Sequence, residues 1–296
     1  MTANPEHRSR ALKTVDVFTT APLLGNPVAV VLDAEDLTTE QMQQIARWTN
    51  LSETTFLLPP TTPEADYRLR IFTPGSELPF AGHPTLGSAF AALEAGRVAP
   101  RDGRLVQECA SGLIPVAVRG EGSGRRLALT MPSATITPLS AADTDELEGI
   151  LGQRIVRETV PAIVDVGAVW LVAELQDSRT LLGLQPDYAR SAAFERRLGL
   201  TGFTVFARYE GEERIEVRSF APSCGVNEDP VCGSGNGAVA FYRKAGGTLP
   251  AGEVMYQATQ GRCVGRDGHL TITVDDELRV TVGGACVTCV DGVLTL

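Results

Sequence analysis

Several residue types and sequence features are scarce in this 296-residue chain, and each scarcity argues against a class of protein. The chain has only three histidines, and of its six cysteines only Cys286 and Cys289 form a C-x-x-C pair, so we expect no metal site. We interpret both thiols as small apolar residues of a C-terminal strand. No basic block is present and the net charge is −10, which argues against nucleic acid or a membrane surface as a partner.

Long apolar runs are also missing, which argues against a membrane-spanning helix. Residues 1–10 are polar and do not resemble a signal peptide, so we expect a cytoplasmic protein. Apolar residues make up 43% of the chain and charged residues 21%, which is typical of a globular protein. A small-molecule substrate remains compatible with all of these features.

The turn residues of the chain, 30 glycines and 18 prolines, predict many short strands and few helices. Three helices show amphipathic spacing and start signals. They are predicted over 38–49, opened by a capping box of Thr38 and Gln41, over 143–151, opened by Asp143 with Glu146, and over 188–198, opened by Asp187.

Two further helices, 83–96 and 234–246, are apolar on nearly every face and end at glycine. A helix that is apolar all round must be buried on all sides, and in a chain dominated by strands β-sheet must surround it. We therefore predict an α+β fold in which sheets wrap central helices.

A sequence motif occurs twice, half the chain length apart. Arg70-Ile-Phe72-Thr-Pro74 matches Arg218-Ser-Phe220-Ala-Pro222, and each copy leads through a turn into one of the two apolar helices. The order of motif, turn and helix predicts an internal duplication into two similar domains related by a pseudo-twofold axis. We expect Arg70 and Arg218 to pair with acids at the seam between these domains.

The starts of the two apolar helices are candidate binding sites for an anion, because helix N-termini carry unpaired N–H groups. The same residues are also compatible with ordinary helix starts. The candidates for substrate binding are Gly82, Pro84 and Thr85 in the first turn, and Gly233, Ser234 and Gly235 in the second.

Three ionisable residues near these turns are candidates for proton transfer. Glu53 precedes an apolar strand, His83 starts the first apolar helix, and Asp229 precedes the second. The local sequence alone favours a surface carboxylate for Glu53, and Asp229 or Ser234 is also compatible with a helix cap.

Three segments, Asn50-Leu-Ser-Glu-Thr54, Phe80-Ala-Gly-His-Pro-Thr-Leu-Gly87 and Gly225-Val-Asn-Glu-Asp-Pro-Val-Cys-Gly-Ser234, together resemble the PhzF-like phenazine-biosynthesis family of the diaminopimelate epimerase superfamily. The resemblance implies a diaminopimelate epimerase-like fold of two mostly antiparallel, barrel-like domains, each around a central helix. It places the first domain at 11–120 plus 284–296, with the C-terminal strand returning to it, and the second at 121–283. It also implies a homodimer.

The resemblance further implies an isomerase that needs no cofactor, similar to trans-2,3-dihydro-3-hydroxyanthranilate isomerase. Glu53 would carry the proton, His83 and Asp229 would orient the substrate and assist the transfer, and Ser234 with neighbouring N–H groups would hold a carboxylate. In the second half, Gly167 falls where Glu53 would be expected, which predicts a single base.

Cys232 is a departure from the family pattern. In related epimerases a catalytic cysteine occupies this position and a second one matches Ala81, which is not a thiol here. A thiol at a helix start is expected to have a lowered pKa. A racemase or epimerase that uses Cys232 is therefore an alternative, and a non-catalytic binding module of the same fold is another.

Overall fold

The structure is a computed structural model that describes residues 8–296, except for the side chain of Ser123. The expectation of no signal peptide rests on the polar N-terminal segment. Most of that segment lies outside the described residues. None of the helices in the described part of the chain is long and apolar enough to cross a membrane.

The chain forms many short strands and six α-helices within residues 8–296. The strands are β1 (Ser9–Val17), β2 (Asn26–Val31), β3 (Glu53–Leu58), β4 (Tyr67–Phe72), β5 (Glu77–Leu78), β6 (Arg104–Cys109), β7 (Gly112–Arg119), β8 (Arg126–Thr130), β9 (Thr135–Pro138), β10 (Ala162–Asp165), β11 (Val169–Glu174), β12 (Gly202–Arg208), β13 (Ile215–Ala221), β14 (Val226–Asp229), β15 (Val254–Gln260), β16 (Gly268–Val274) and β17 (Val280–Thr295). The helices are α1 (Thr39–Thr49), α2 (Gly82–Glu94), α3 (Ala141–Leu151), α4 (Ser178–Leu182), α5 (Tyr188–Leu198) and α6 (Gly233–Ala245).

The chain divides into two compact units. Unit 1 contains the described residues up to Leu129 together with Ala285–Leu296, and unit 2 contains Thr130–Gly284. The first boundary lies after residue 129 and not after residue 120, because β8 pairs antiparallel with β7 and so belongs mainly to unit 1. The second boundary differs from the expected one by a single residue.

In unit 1, β1 pairs antiparallel with β2 and with the later part of β17. Next, β2 lies parallel to β3, β3 antiparallel to β4, and β4 both antiparallel to β5 and parallel to β6. The parallel pairs need crossover connections, and α1 and α2 supply them.

Unit 2 repeats this order of pairings. Strand β10 pairs antiparallel with β11, β11 lies parallel to β12, β12 antiparallel to β13, and β13 both antiparallel to β14 and parallel to β15. Helices α4 and α5 occupy the place of α1, and α6 occupies the place of α2. The strand order therefore repeats as the duplicated sequence motif predicts.

The central helices are buried as their apolar sequences predict. Every residue of α2 from Pro84 to Leu93 is buried, and α6 is buried over most of its length. After α2 the main chain of Gly96 adopts φ of 66°, and after α6 that of Gly247 adopts φ of 68°. Both glycines allow the left-handed turn that ends each helix.

The two motif arginines pair with acids, and each acid lies in the same unit as its arginine. On β4, Arg70 forms a bidentate ion pair with Glu77, and its guanidinium lies 5.1 Å from the Phe72 ring centroid. On β13, Arg218 pairs in the same way with Glu228 and lies 4.9 Å from the Phe220 ring centroid.

The amphipathic helices begin mostly as predicted. The Thr38–Gln41 capping box precedes α1, and Asp187 caps α5. Helix α3 is different, because its cap is Ser140 and not Asp143. The Ser140 hydroxyl accepts the main-chain N–H of Asp143, so the helix starts two residues before the predicted start.

Candidate active site

In unit 1, the turn between α1 and β3 places Glu53 beside the start of α2. Asn50 caps the end of α1 with φ of 53°, which reverses the chain, and Glu53 is the first residue of β3. The Glu53 Oε2 atom lies 3.3 Å from His83 Nε2, and their side chains are only 15% and 10% exposed. The contact is close but lacks hydrogen-bond alignment, and neither atom has another hydrogen-bond partner among the described residues. The carboxylate and the imidazole therefore lie side by side, each with a buried polar atom that makes no hydrogen bond in the described part of the chain.

The start of α2 has no side-chain cap. The N-cap is Ala81, no acid lies in the first turn, and Pro84 has no N–H. The main-chain N–H groups of Gly82 and His83 thus have no acceptor within the described part of the chain. This arrangement favours an anion beside the His83 side chain.

Two of the predicted substrate-binding residues in this turn are buried in unit 1. The side chain of Thr85 is fully buried, and its hydroxyl accepts a hydrogen bond of 3.0 Å from Gln107 Nε2. Pro84 is buried as well. The sequence placed Thr85 in the binding turn, but packing of α2 commits its hydroxyl to the core.

In unit 2, Cys232 is the N-cap of α6, and its Sγ accepts the main-chain N–H of Gly235 at 3.3 Å. Burial raises the pKa of the thiol well above its ordinary value, and the nearby carboxylate of Asp229 raises it further. The expectation of a lowered pKa is therefore wrong, because desolvation outweighs the helix-end N–H group. At neutral pH the thiol is protonated.

Asp229 ends β14, just before α6. Its Oδ1 accepts the main-chain N–H of Val231 at 3.0 Å, and Gln260 Nε2 donates to its main-chain carbonyl. Neither Asp229 nor Ser234 is the helix cap, since Cys232 takes that role. The capping interpretation of both residues is therefore excluded.

Ser234, the second residue of α6, accepts a hydrogen bond of 3.1 Å from the indole N–H of Trp170. The adjacent Gly233 begins the helix and is half-buried. Gly235, by contrast, is buried, and a Cβ there would lie 2.6 Å from the Thr204 hydroxyl oxygen. Close packing of the helix therefore requires glycine at position 235.

The strand pairings identify the residue in unit 2 that corresponds to Glu53. Glu53 pairs with Val28 across the parallel strands β2 and β3, and Gly202 pairs with Trp170 across β11 and β12. The arginines of the repeated motif give the same register. The counterpart of Glu53 is therefore Gly202, whereas the sequence predicts Gly167. The prediction of a single acid is unchanged, because both candidates are glycines.

The two barrel-like units around central helices define the diaminopimelate epimerase-like fold. The family described as phenazine biosynthesis-like protein, PhzC-PhzF, matches residues 15–292. The chain therefore belongs to this family.

Three comparisons illustrate the relationship. The chain is 40% identical over 290 residues to "Antisense-enhancing sequence 1" of Schizosaccharomyces pombe, covering 95% of this chain and 97% of that protein. It is 35% identical over 257 residues to "Trans-2,3-dihydro-3-hydroxyanthranilate isomerase" of Pseudomonas aeruginosa, covering 86% and 87%. A crystal structure of a Bacillus anthracis PhzF-family protein superposes with a TM-score of 0.87 at 22% identity, covering 98% of this chain and 100% of that one.

Proposed function

We propose that the protein is a cofactor-independent isomerase that moves a proton between two carbons of a small amino- or hydroxy-carboxylate. The reaction would resemble that named for the Pseudomonas aeruginosa relative. The observation that carries the proposal is the 3.3 Å approach of the Glu53 carboxylate to the His83 imidazole at an uncapped helix start. An acid/base pair next to an anion-binding turn suits proton transfer on a carboxylate substrate.

In the proposed reaction Glu53 takes a proton from a carbon next to a carbon–carbon double bond. The electron pair of the broken C–H bond forms a new double bond. The electron pair of the old double bond forms a C–H bond at its far carbon with the proton that Glu53 returns. The atoms and electrons balance without an oxidant or reductant, which is why no cofactor is needed. As the family resemblance implies, we propose that His83 and Asp229 orient the amine or hydroxyl group, and that Ser234 with its neighbouring N–H groups holds the carboxylate.

The difference between the two units supports a single base. At Gly202, the counterpart of Glu53, a Cβ would lie 2.9 Å from the Trp170 ring, so no acid can occupy that position without repacking. One carboxylate suits a transfer along one face of the substrate, whereas racemisation needs an acid or base on each face.

The racemase alternative rests on Cys232, and the local chemistry argues against it. Burial keeps this thiol protonated at neutral pH, and the equivalent N-cap of α2 is Ala81, which carries no ionisable group. Cys232→Ala is therefore expected to keep activity. Loss of activity in that variant would favour the racemase instead.

Deuterium uptake tests the proposal. In heavy water, trans-2,3-dihydro-3-hydroxyanthranilate and related unsaturated amino- and hydroxy-carboxylates are incubated with the protein, and label is read by mass spectrometry. We expect uptake with the wild type, a loss of at least about 100-fold with Glu53→Gln because general acid/base catalysis contributes about that much, and no loss with Glu64→Gln in an exposed loop. Absence of both product and uptake in the wild type would favour a non-catalytic binding module, and uptake by Glu53→Gln at the wild-type rate would refute the assigned base.

We also propose that the protein is a homodimer, as the family resemblance implies. Light scattering after size-exclusion chromatography is expected to give twice the chain mass of 31.5 kDa. A mass equal to one chain over the whole concentration range would contradict this proposal.

A further inference from the structure

The hydrogen bond between Trp170 and Ser234 has a consequence for the direction in which the serine hydroxyl points. Trp170 is only 3% exposed, and its indole N–H lies 3.1 Å from Ser234 Oγ. An indole N–H can only donate, so the serine oxygen must accept this bond. The single hydrogen of the Ser234 hydroxyl is then left for another acceptor.

One other group near Ser234 competes for this hydrogen. The Sγ atom of Cys232 lies 3.6 Å from Ser234 Oγ, and it already accepts the N–H of Gly235. A thiol sulfur is a weak acceptor compared with a carboxylate oxygen. A bound carboxylate is therefore the better acceptor for the hydroxyl hydrogen.

The position of the indole depends on a glycine on the neighbouring strand. Gly202 pairs with Trp170, and any side chain at Gly202 would collide with the indole ring and with the Phe220 carbonyl oxygen. In unit 1 the corresponding residues are Val28 and Glu53. Unit 2 therefore has an indole N–H beside the second residue of its central helix, where unit 1 has the Glu53 carboxylate beside His83.

We propose that Trp170, in the space left by Gly202, is a positioning residue that fixes Ser234 as a hydrogen-bond donor to the substrate carboxylate. This inference rests on the proposed function, because it assigns Ser234 to carboxylate binding. It predicts that Trp170 acts on substrate binding and leaves the proton-transfer step itself unchanged.

Steady-state kinetics test the role with trans-2,3-dihydro-3-hydroxyanthranilate as substrate. Trp170→Phe keeps an aromatic ring but removes the N–H, and we expect KM to rise about five-fold with kcat changed less than about two-fold, as for loss of one hydrogen bond. Ser234→Ala should raise KM at least as much, and the double variant should add little, because both changes remove the same donor. Unchanged KM in Trp170→Phe, or fully additive effects, would overturn the inference.

Nuclear magnetic resonance gives a readout that does not depend on turnover or on the folding of Trp170→Phe. The chain has two tryptophans, and Trp48 is 74% exposed. In Trp48→Phe the spectrum therefore contains a single indole N–H signal, that of Trp170. In this background, Ser234→Ala should move the Trp170 signal. Adding 3-hydroxyanthranilate, an aromatic analogue in which the proposed shift cannot occur, should also move it, but only when Ser234 is present.

The two hypotheses fail in different ways. If wild-type protein neither converts any candidate substrate nor takes up deuterium into it from heavy water, the proposed function fails, whatever the indole signal does. If deuterium uptake depends on Glu53 but the indole signal is the same with Ser234 and with alanine, the proposed function stands and the role of Trp170 is refuted.

Discussion

The repeated arginine–glutamate pair provides a comparison of a buried and an exposed ion pair within one chain. Arg218 and Glu228 have side chains that are each only 4% exposed, whereas Arg70 and Glu77 are 25% and 37% exposed. Arg218 also donates to the main-chain carbonyls of Leu181 and Leu184.

Replacing one partner of a buried pair leaves the other charge in a medium of low dielectric constant. We therefore expect Arg218→Met to lower the free energy of unfolding by roughly 3–5 kcal/mol. The same change at Arg70 removes a partly solvated pair, and we expect it to cost about 1 kcal/mol or less. Urea unfolding followed by circular dichroism measures both, with matched protein concentration and salt.

A third variant separates the charge left unpaired from the loss of packing. Because the buried pair costs desolvation energy for both partners, Arg218→Met combined with Glu228→Gln should be less destabilised than the sum of the single changes. If Arg218→Met and Arg70→Met lower the free energy of unfolding equally, the burial argument is refuted.

Three further predictions follow from the packing and pKa values. Gly202→Ala should cost about 2–3 kcal/mol in urea unfolding because its Cβ overlaps neighbouring strand atoms, whereas Gly292→Ala, with open space around it, should cost less than about 1 kcal/mol. Burial raises the pKa of Cys286 from 9.0 to about 12, so its stabilising effect is complete below pH 9 and is lost as pH rises towards 12. Unfolding free energy should fall above pH 9 by up to about 1.4 kcal/mol per pH unit from this group, and less steeply in Cys286→Ala. Iodoacetamide at pH 8 should modify the exposed Cys224 and spare the buried Cys232, as peptide mass spectrometry would report; equal modification would contradict the raised pKa of Cys232.

The sequence was sufficient to predict the two central helices and the repeated order of elements. Helices apolar on every face can only be buried, and the repeated motif leads into each of them. The counterpart of Glu53 was placed at Gly167 and not at Gly202, because strand register depends on parallel pairing between segments about 30 residues apart in sequence.

Burial was the second property that local sequence did not reveal. A thiol at a helix start ordinarily has a lowered pKa, but Cys232 is buried and its pKa is raised. Thr85 lies in the turn predicted to bind substrate, and its local sequence does not show that its hydroxyl accepts a hydrogen bond from Gln107 in the core. No local signal in the sequence marks Trp170, since its partner Ser234 lies 64 residues away.

The central claim is that one carboxylate, Glu53, both removes and returns the proton. A substrate carrying deuterium at the carbon that loses hydrogen, converted in ordinary water and analysed after the first turnovers, tests it most directly. Because Glu53 is only 15% exposed, the account predicts that part of the label reappears at the new carbon. It also predicts that Glu53→Gln forms product at least about 100-fold more slowly. Complete loss of the label to water, together with turnover by Glu53→Gln at the wild-type rate, would contradict it.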